Sequence, residues 1–150
     1  MPMYFVQHGL CVAKDIDPDR PLSEEGRKEV ELVAAHLRKM GVAVKQVCHS
    51  GKTRARQTAE ILAEQIAFGG ICERPGMSPN DSATEFAAAL EDDTMYVGHL
   101  PHMGKLISYL TAGDENAEVV RFTNGGVVCV GKVDSGFHVE WSLTPPMCIG

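Results

Sequence analysis

Three stretches of this chain combine residue types and spacing suited to chemistry on an anion. His8 lies in Gln7-His8-Gly9, directly after the apolar run Tyr4-Phe5-Val6. An imidazole there is placed to act as nucleophile or ligand, and the following glycine lets the backbone approach a bound group closely. His99 repeats the arrangement, because Gly98-His99-Leu100-Pro101 follows the apolar stretch 94–97. The third stretch, Ser50-Gly51-Lys52-Thr53-Arg54-Ala55-Arg56-Gln57-Thr58-Ala59, opens an amphipathic segment with Lys52, Arg54 and Arg56. Cations are disfavoured at a helix start, where free N–H groups and the dipole attract anions. A basic cluster at that position therefore points to an anionic partner, and Arg54 adds a bidentate donor for phosphate oxygens. Arg20, in the loop before Pro21, is a further candidate. Two histidines also raise the possibility of a metal site. That site would want a third ligand at suitable spacing, and His36, His49, His102 and His138 supply no convincing one.

These residues gain meaning from the elements that must carry them. Tyr4-Phe5-Val6 reads as a buried strand ending at Gln7-His8-Gly9. Ser23 reads as the N-cap of a helix with Glu24 and Glu25 in its first turn. Val30, Val33, Ala34 and Leu37 recur along that helix at helical spacing, and Gly41 closes it. A second strand is expected over 42–47, then an amphipathic helix from about Thr53 to Ala67 that stops at Gly69-Gly70. Ile71-Cys72 reads as a short strand, 82–90 as a short helix, and 94–97 as a buried strand. A helix beginning near Pro101 runs to about Leu110. The last third changes period: 119–122, 127–133 and 137–143 all read as strands separated by Gly or Asn turns. Alternating strands and helices predict an α/β fold, a mostly parallel central sheet with helices on both faces. The strand-rich end adds antiparallel edge strands to it. Ligands of such sheets bind beyond the carboxyl ends of the strands. His8, the Ser50–Arg54 stretch and His99 all fall there.

The bulk properties narrow the field. A chain of 150 residues with 44% hydrophobic and 23% charged residues is expected to form a single soluble domain over residues 1–150. Its formal net charge of −6 argues against non-specific binding to nucleic acid, which needs a basic footprint. No apolar run approaches the roughly 18 residues of a membrane span, and the N-terminus lacks the features of a secretion signal. The five cysteines are odd in number, widely spaced and without a Cys-x-x-Cys pair. They are expected to be reduced thiols in a cytoplasmic protein and not a disulfide framework.

The order of the motifs resembles the histidine phosphatase superfamily. It comprises a His-Gly pair after the first strand, Arg20-Pro21-Leu22-Ser23, Ser50-x-x-x-Arg54-Ala55-x-Gln57-Thr58-Ala59, then Gly98-His99-Leu100-Pro101. Within the superfamily the resemblance is to the short SixA-type phosphohistidine phosphatases, and Phe122-Thr123 fits that branch. It implies a phosphoglycerate mutase-like three-layer sandwich and a covalent phosphohistidine intermediate. It also implies His8 as nucleophile and His99 as a second pocket histidine. By the same resemblance, Arg54 and Arg20 are expected to bind the phosphoryl oxygens, with Gln7 and Gly9 beside them. No metal or cofactor is implied. The implied partner is a phosphorylated protein, such as a phosphotransfer domain carrying phosphohistidine.

Two features depart from the superfamily pattern. Gln7 stands where the pattern has an arginine; its amide donates hydrogen bonds but brings no charge. No clear general acid is present, Asp81 and Glu85 being the available candidates. An imidazole leaving group, with a reference pKa of about 6.5, departs far more readily than an alkoxide, so the missing acid suits a phosphohistidine substrate. The alternatives are a phosphate- or phosphoprotein-binding module with weakened catalysis, or a small-molecule phosphomonoesterase.

Overall fold

The computed structural model describes residues 2–149. Six strands form one sheet in the order β3-β2-β4-β1-β5-β6. They are β1 (Met3–Gln7), β2 (Gln46–His49), β3 (Ile71–Glu73), β4 (Thr94–Gly98), β5 (Val127–Val133) and β6 (Gly136–Leu143). β3, β2, β4 and β1 run parallel, whereas β5 and β6 are antiparallel additions at one edge. The helices are α1 (Glu24–Lys39), α2 (Thr53–Ile66), α3 (Ala83–Ala87) and α4 (His102–Ala112), followed by a short 3₁₀ turn over Pro145–Cys148.

Strand periodicity divides the core in two. Tyr4, Val6, Val47, Met95, Val97, Val127 and Cys129 point to one face and meet the apolar stripes of α1 and α2. Met3, Phe5, Cys48, Tyr96, Val128 and Val130 point to the other and meet α3 and α4. The result is the expected three-layer sandwich. α1 forms as its sequence dictates: Ser23 Oγ accepts from Gly26 N at 3.0 Å, and Val30, Val33, Ala34 and Leu37 are buried. Gly26 packs against the backbone of Leu10 so closely that an added Cβ would overlap its carbonyl. α1 is thereby pressed onto the loop leaving His8.

Three expectations are corrected. The strand placed over 42–47 begins only at Gln46, because its neighbour β4 begins at Thr94, directly opposite Gln46. The strand placed over 119–122 is absent: residues 118–123 have no regular structure, because no strand lies beside them to complete a ladder. The thiols are not all free. Cys48 and Cys72 sit in register across β2 and β3, their Cα atoms 4.7 Å apart, and form a disulfide. Cys11, Cys129 and Cys148 are unpaired. A separation of 24 residues gives no sequence signal of that pairing; it arises only once the crossover brings β3 alongside β2.

Candidate active site

The parallel register aligns the carboxyl ends of β1, β2 and β4, with Gln7 opposite Gly98 and His49 opposite Val97. The residues that follow these strands therefore emerge side by side. The ring centroids of His8 and His99 lie 5.1 Å apart, tilted by 52°. Both rings are buried, with His99 only 1% exposed.

Each ring is held by identifiable bonds. The His8 backbone N–H donates to Gly98 O at 3.0 Å. Its carbonyl accepts from Asn124 Nδ2 at 3.1 Å and from the N–H of Gly125 at 3.2 Å. His8 Nδ1 donates to the carbonyl of Gly9 at 2.8 Å, so a neutral ring carries its lone pair on Nε2. His99 Nε2 is hydrogen-bonded to Ser50 Oγ at 2.6 Å, and its Nδ1 has no partner. Gly9 contributes mainly by packing. A Cβ there would lie 2.7 Å from Val30 Cγ2, and its N–H donates to Thr58 Oγ1 at 3.0 Å. The Gly9 N–H is thus committed to α2 and not offered to a phosphate.

The cationic residues converge on the same place. α2 starts at Thr53 with Lys52 as an N-cap that makes no side-chain cap bond and with no acidic residue in the first turn. By contrast, α1 has the usual Ser23 cap and two glutamates. The N-terminus of α2 therefore keeps its anion-attracting character. Arg54 Nε is buried there without a partner. Arg20 is held with φ at 48°, a left-handed conformation that costs a non-glycine residue roughly 1–2 kcal/mol. Its Nε donates to Val12 O at 3.4 Å. Gln57 Oε1 accepts from Leu22 N at 2.7 Å and ties this loop to α2. Gln7 lies at the same strand end, its Oε1 buried and unpartnered.

The electrostatics follow from this crowding. Burial, reinforced by the Arg54 and Arg20 guanidinium groups, pushes the His8 pKa below its usual 6.5 against the opposing effect of the Gly9 carbonyl. Burial, with His8, Arg54, Lys52 and His102 nearby, lowers His99 to about 3. Both rings are neutral at pH 7. Arg54 is itself pushed down by burial and by Arg20. Among the described residues, no carboxylate is one of the charged groups acting on either histidine. Asp81 and Glu85 are exposed; Asp81 Oδ2 accepts from Ser78 N at 2.9 Å.

Of the remaining histidines, His102 lies close enough to act on His99, whereas His49 has other partners. His49 Nδ1 accepts from Gly51 N at 3.1 Å, and the charges around it are Glu73, Arg56 and Glu60. His102 is fully buried and packs against Phe86, ring centroids 5.6 Å apart. Among the described residues no three His, Cys, Asp or Glu side chains cluster closely enough to hold a metal ion. Ser50, Thr58 and Asn124 were not assigned roles from the sequence. Ser50 and Thr58 sit in the quoted motif and Asn124 in an Asn-Gly turn, but their partners lie 49, 49 and 116 residues away.

A mixed sheet whose strand ends carry two neutral histidines amid uncompensated cations defines an α/β protein suited to handling a phosphoryl group. The histidine phosphatase superfamily (branch 1) model matches residues 3–76, the span containing His8, Arg20 and Arg54. The chain is 32% identical over 123 residues to an uncharacterized protein of Picosynechococcus sp. strain PCC 7002, covering 75% of this chain and 74% of that one. It is 26% identical over 155 residues to the phosphohistidine phosphatase SixA of Escherichia coli K12, covering 97% and 94%. Its fold matches a structure of the protein histidine phosphatase SixA complexed with tungstate at a TM-score of 0.85 and 23% identity, over 97% and 98% of the two chains. The chain belongs to the histidine phosphatase superfamily and is of the SixA type.

Proposed function

We propose that this chain is a protein phosphohistidine phosphatase working through a covalent phospho-His8 intermediate. One observation carries the reading: the His8 Nδ1–Gly9 bond leaves Nε2 free beside His99, with the Arg54 and Arg20 guanidinium groups close enough to act on the ring. The Nε2 lone pair attacks phosphorus, a new N–P bond forms, and the bond to the substrate imidazole, protonated on its other nitrogen, breaks with its electron pair to release a neutral ring. Water then attacks phosphorus, the His8 N–P bond breaks, and inorganic phosphate leaves. A depressed His8 pKa keeps the nucleophile unprotonated at neutral pH. Arg54 and Arg20 neutralise the phosphoryl oxygens, and His99 offers them an uncharged N–H. The absence of a carboxylate near either ring fits an imidazole leaving group, which needs no strong acid. The same absence counts against Asp81 or Glu85 serving a phosphomonoesterase.

The expected partner is a phosphorylated protein, such as a phosphotransfer domain, in a cytoplasmic signalling setting. No helix of the described residues is long and apolar enough to cross a membrane. Replacing His8 by alanine should abolish dephosphorylation of a phosphohistidine-bearing protein while leaving the melting temperature near that of the parent; retained activity contradicts the mechanism. A second reading, a phosphate- or phosphoprotein-binding module with weakened catalysis, is favoured by the uncharged, unpartnered Gln7. Strong thermal stabilisation by tungstate without any turnover would select it.

A further inference from the structure

Beside the phosphate pocket runs a groove of about 760 Å³ between α4 and the irregular segment 115–122. One wall begins at Leu100 and Pro101, immediately after His99. The other ends at Phe122, two residues before the Asn124 that holds the His8 carbonyl. Both walls of the groove thus lead along the chain to residues of the site.

The second wall resembles a strand without a neighbour. Its exposure alternates with a period of two: Val119 exposed, Val120 half-buried, Arg121 exposed, Phe122 buried, Thr123 exposed. Phe122 and Val120 pack into the core beneath α3 and α4. Val119 N is anchored to Ser108 Oγ at 3.2 Å. Among the described residues, the backbone groups of Val120, Arg121 and Phe122 make no hydrogen bond within the chain. This explains why the sequence reads as a strand while the fold shows none: the side-chain pattern is present and the ladder partner is not. Of the groove's basic groups, Lys105 faces Glu115 at 3.9 Å, whereas Arg121 has no carboxylate within salt-bridge distance among the described residues.

We infer that the groove binds an extended polypeptide, the chain flanking the phosphohistidine of the substrate protein, which pairs by backbone hydrogen bonds with residues 120–122 and sets a carboxylate against Arg121. An unpaired backbone edge favours a polypeptide over a compact metabolite, because the edge supplies alternating donors and acceptors at the strand repeat. The inference rests on the phosphohistidine phosphatase reading and assigns the part of the substrate lying outside the phosphate pocket.

The test is amide hydrogen exchange of the full chain with a peptide of about ten residues carrying a non-hydrolysable phosphohistidine analogue. Successive N–H groups of an extended segment face opposite edges, so either Arg121 or the Val120 and Phe122 pair, unbonded in the free protein, should slow about tenfold or more together with the amides around His8 and Arg54. Slowing confined to the His8 and Arg54 region overturns the groove assignment and leaves the phosphatase reading standing. Slowing nowhere removes both. Arg121→Gln provides a kinetic counterpart, since it removes the guanidinium set against the substrate carboxylate and leaves the backbone unchanged. It should raise KM for a phosphohistidine peptide about threefold, the effect of one exposed ion pair. The kinetics of free phosphohistidine should stay unchanged. An equal effect on both substrates, or on neither, contradicts the inference.

Discussion

Ser50→Ala is a sharp probe of the pocket because it removes one atom with a known set of contacts. Ser50 Oγ is hydrogen-bonded to His99 Nε2 at 2.6 Å and accepts from Lys52 N at 3.3 Å. His99 Nδ1 already lacks a partner, so the substitution leaves a 1%-exposed imidazole with no hydrogen bond at either nitrogen. Stranding a buried polar group costs about 1–3 kcal/mol, and one typical intramolecular bond contributes roughly 1 kcal/mol net. Only the part that orients the ring toward the transferring phosphoryl group appears in catalysis. Taking about 1–2 kcal/mol for it, kcat/KM should fall roughly 5- to 30-fold at about 1.36 kcal/mol per decade. The loss should lie mainly in kcat, because in the proposed mechanism His99 acts on charge that develops as the phosphoryl group transfers. Steady-state assays on phosphohistidine protein, with a thermal melt to verify folding, measure both quantities. A Ser50→Ala enzyme within twofold of the parent in kcat and KM would refute the assignment of Ser50 as the residue that positions His99.

Thr58→Val retains the shape but leaves Gly9 N–H without its 3.0 Å acceptor, and should cost about 1–3 kcal/mol in a denaturant melt while raising KM. Gln7→Arg restores a guanidinium at the strand end. It should raise kcat at least tenfold, within the roughly 10²–10³ that one oxyanion donor supplies, and lower the melting temperature of the anion-free protein by adding a cation beside Arg54 and Arg20. Acid should destabilise the fold early. His99 titrates near 6.5 when unfolded and at about 3 when folded, so its contribution is present above pH 6.5 and lost as pH falls toward 3. The slope is at most about 1.4 kcal/mol per pH unit from this one group. His8, His49 and His102, lowered mainly by burial, act in the same direction. Thermal melts from pH 7 to 4 should show that slope, flattened in His99→Asn; equal slopes in the two proteins would contradict it.

Much of this was legible in the residues because it depends on local period and on strand ends. α1 is written by Ser23, Glu24, Glu25 and the Val30–Leu37 stripe, and β1 and β4 by apolar runs that stop at a histidine. The convergence of His8, His99, Arg54 and Arg20 follows once parallel strands align their carboxyl ends. The features that escaped depend on distant partners. Ser50 meets His99 across two strands, and Thr58 meets Gly9 from α2. Cys48 meets Cys72 only through strand order. Residues 119–122 have the composition and alternation of a strand, but pairing is a property of neighbours that a local pattern does not contain. Gly9 shows the converse. Its presence was evident, but its tight approach to Val30 and its bond to Thr58 were not.

The central claim is that His8 accepts the phosphoryl group. Rapid-quench mixing with a radiolabelled phosphohistidine protein, followed by alkaline peptide mapping, tests it in one step. The account predicts a labelled enzyme that forms and decays within a turnover, with the acid-labile, base-stable phosphate on His8. Turnover without a labelled enzyme, or label on any residue other than His8, would contradict it.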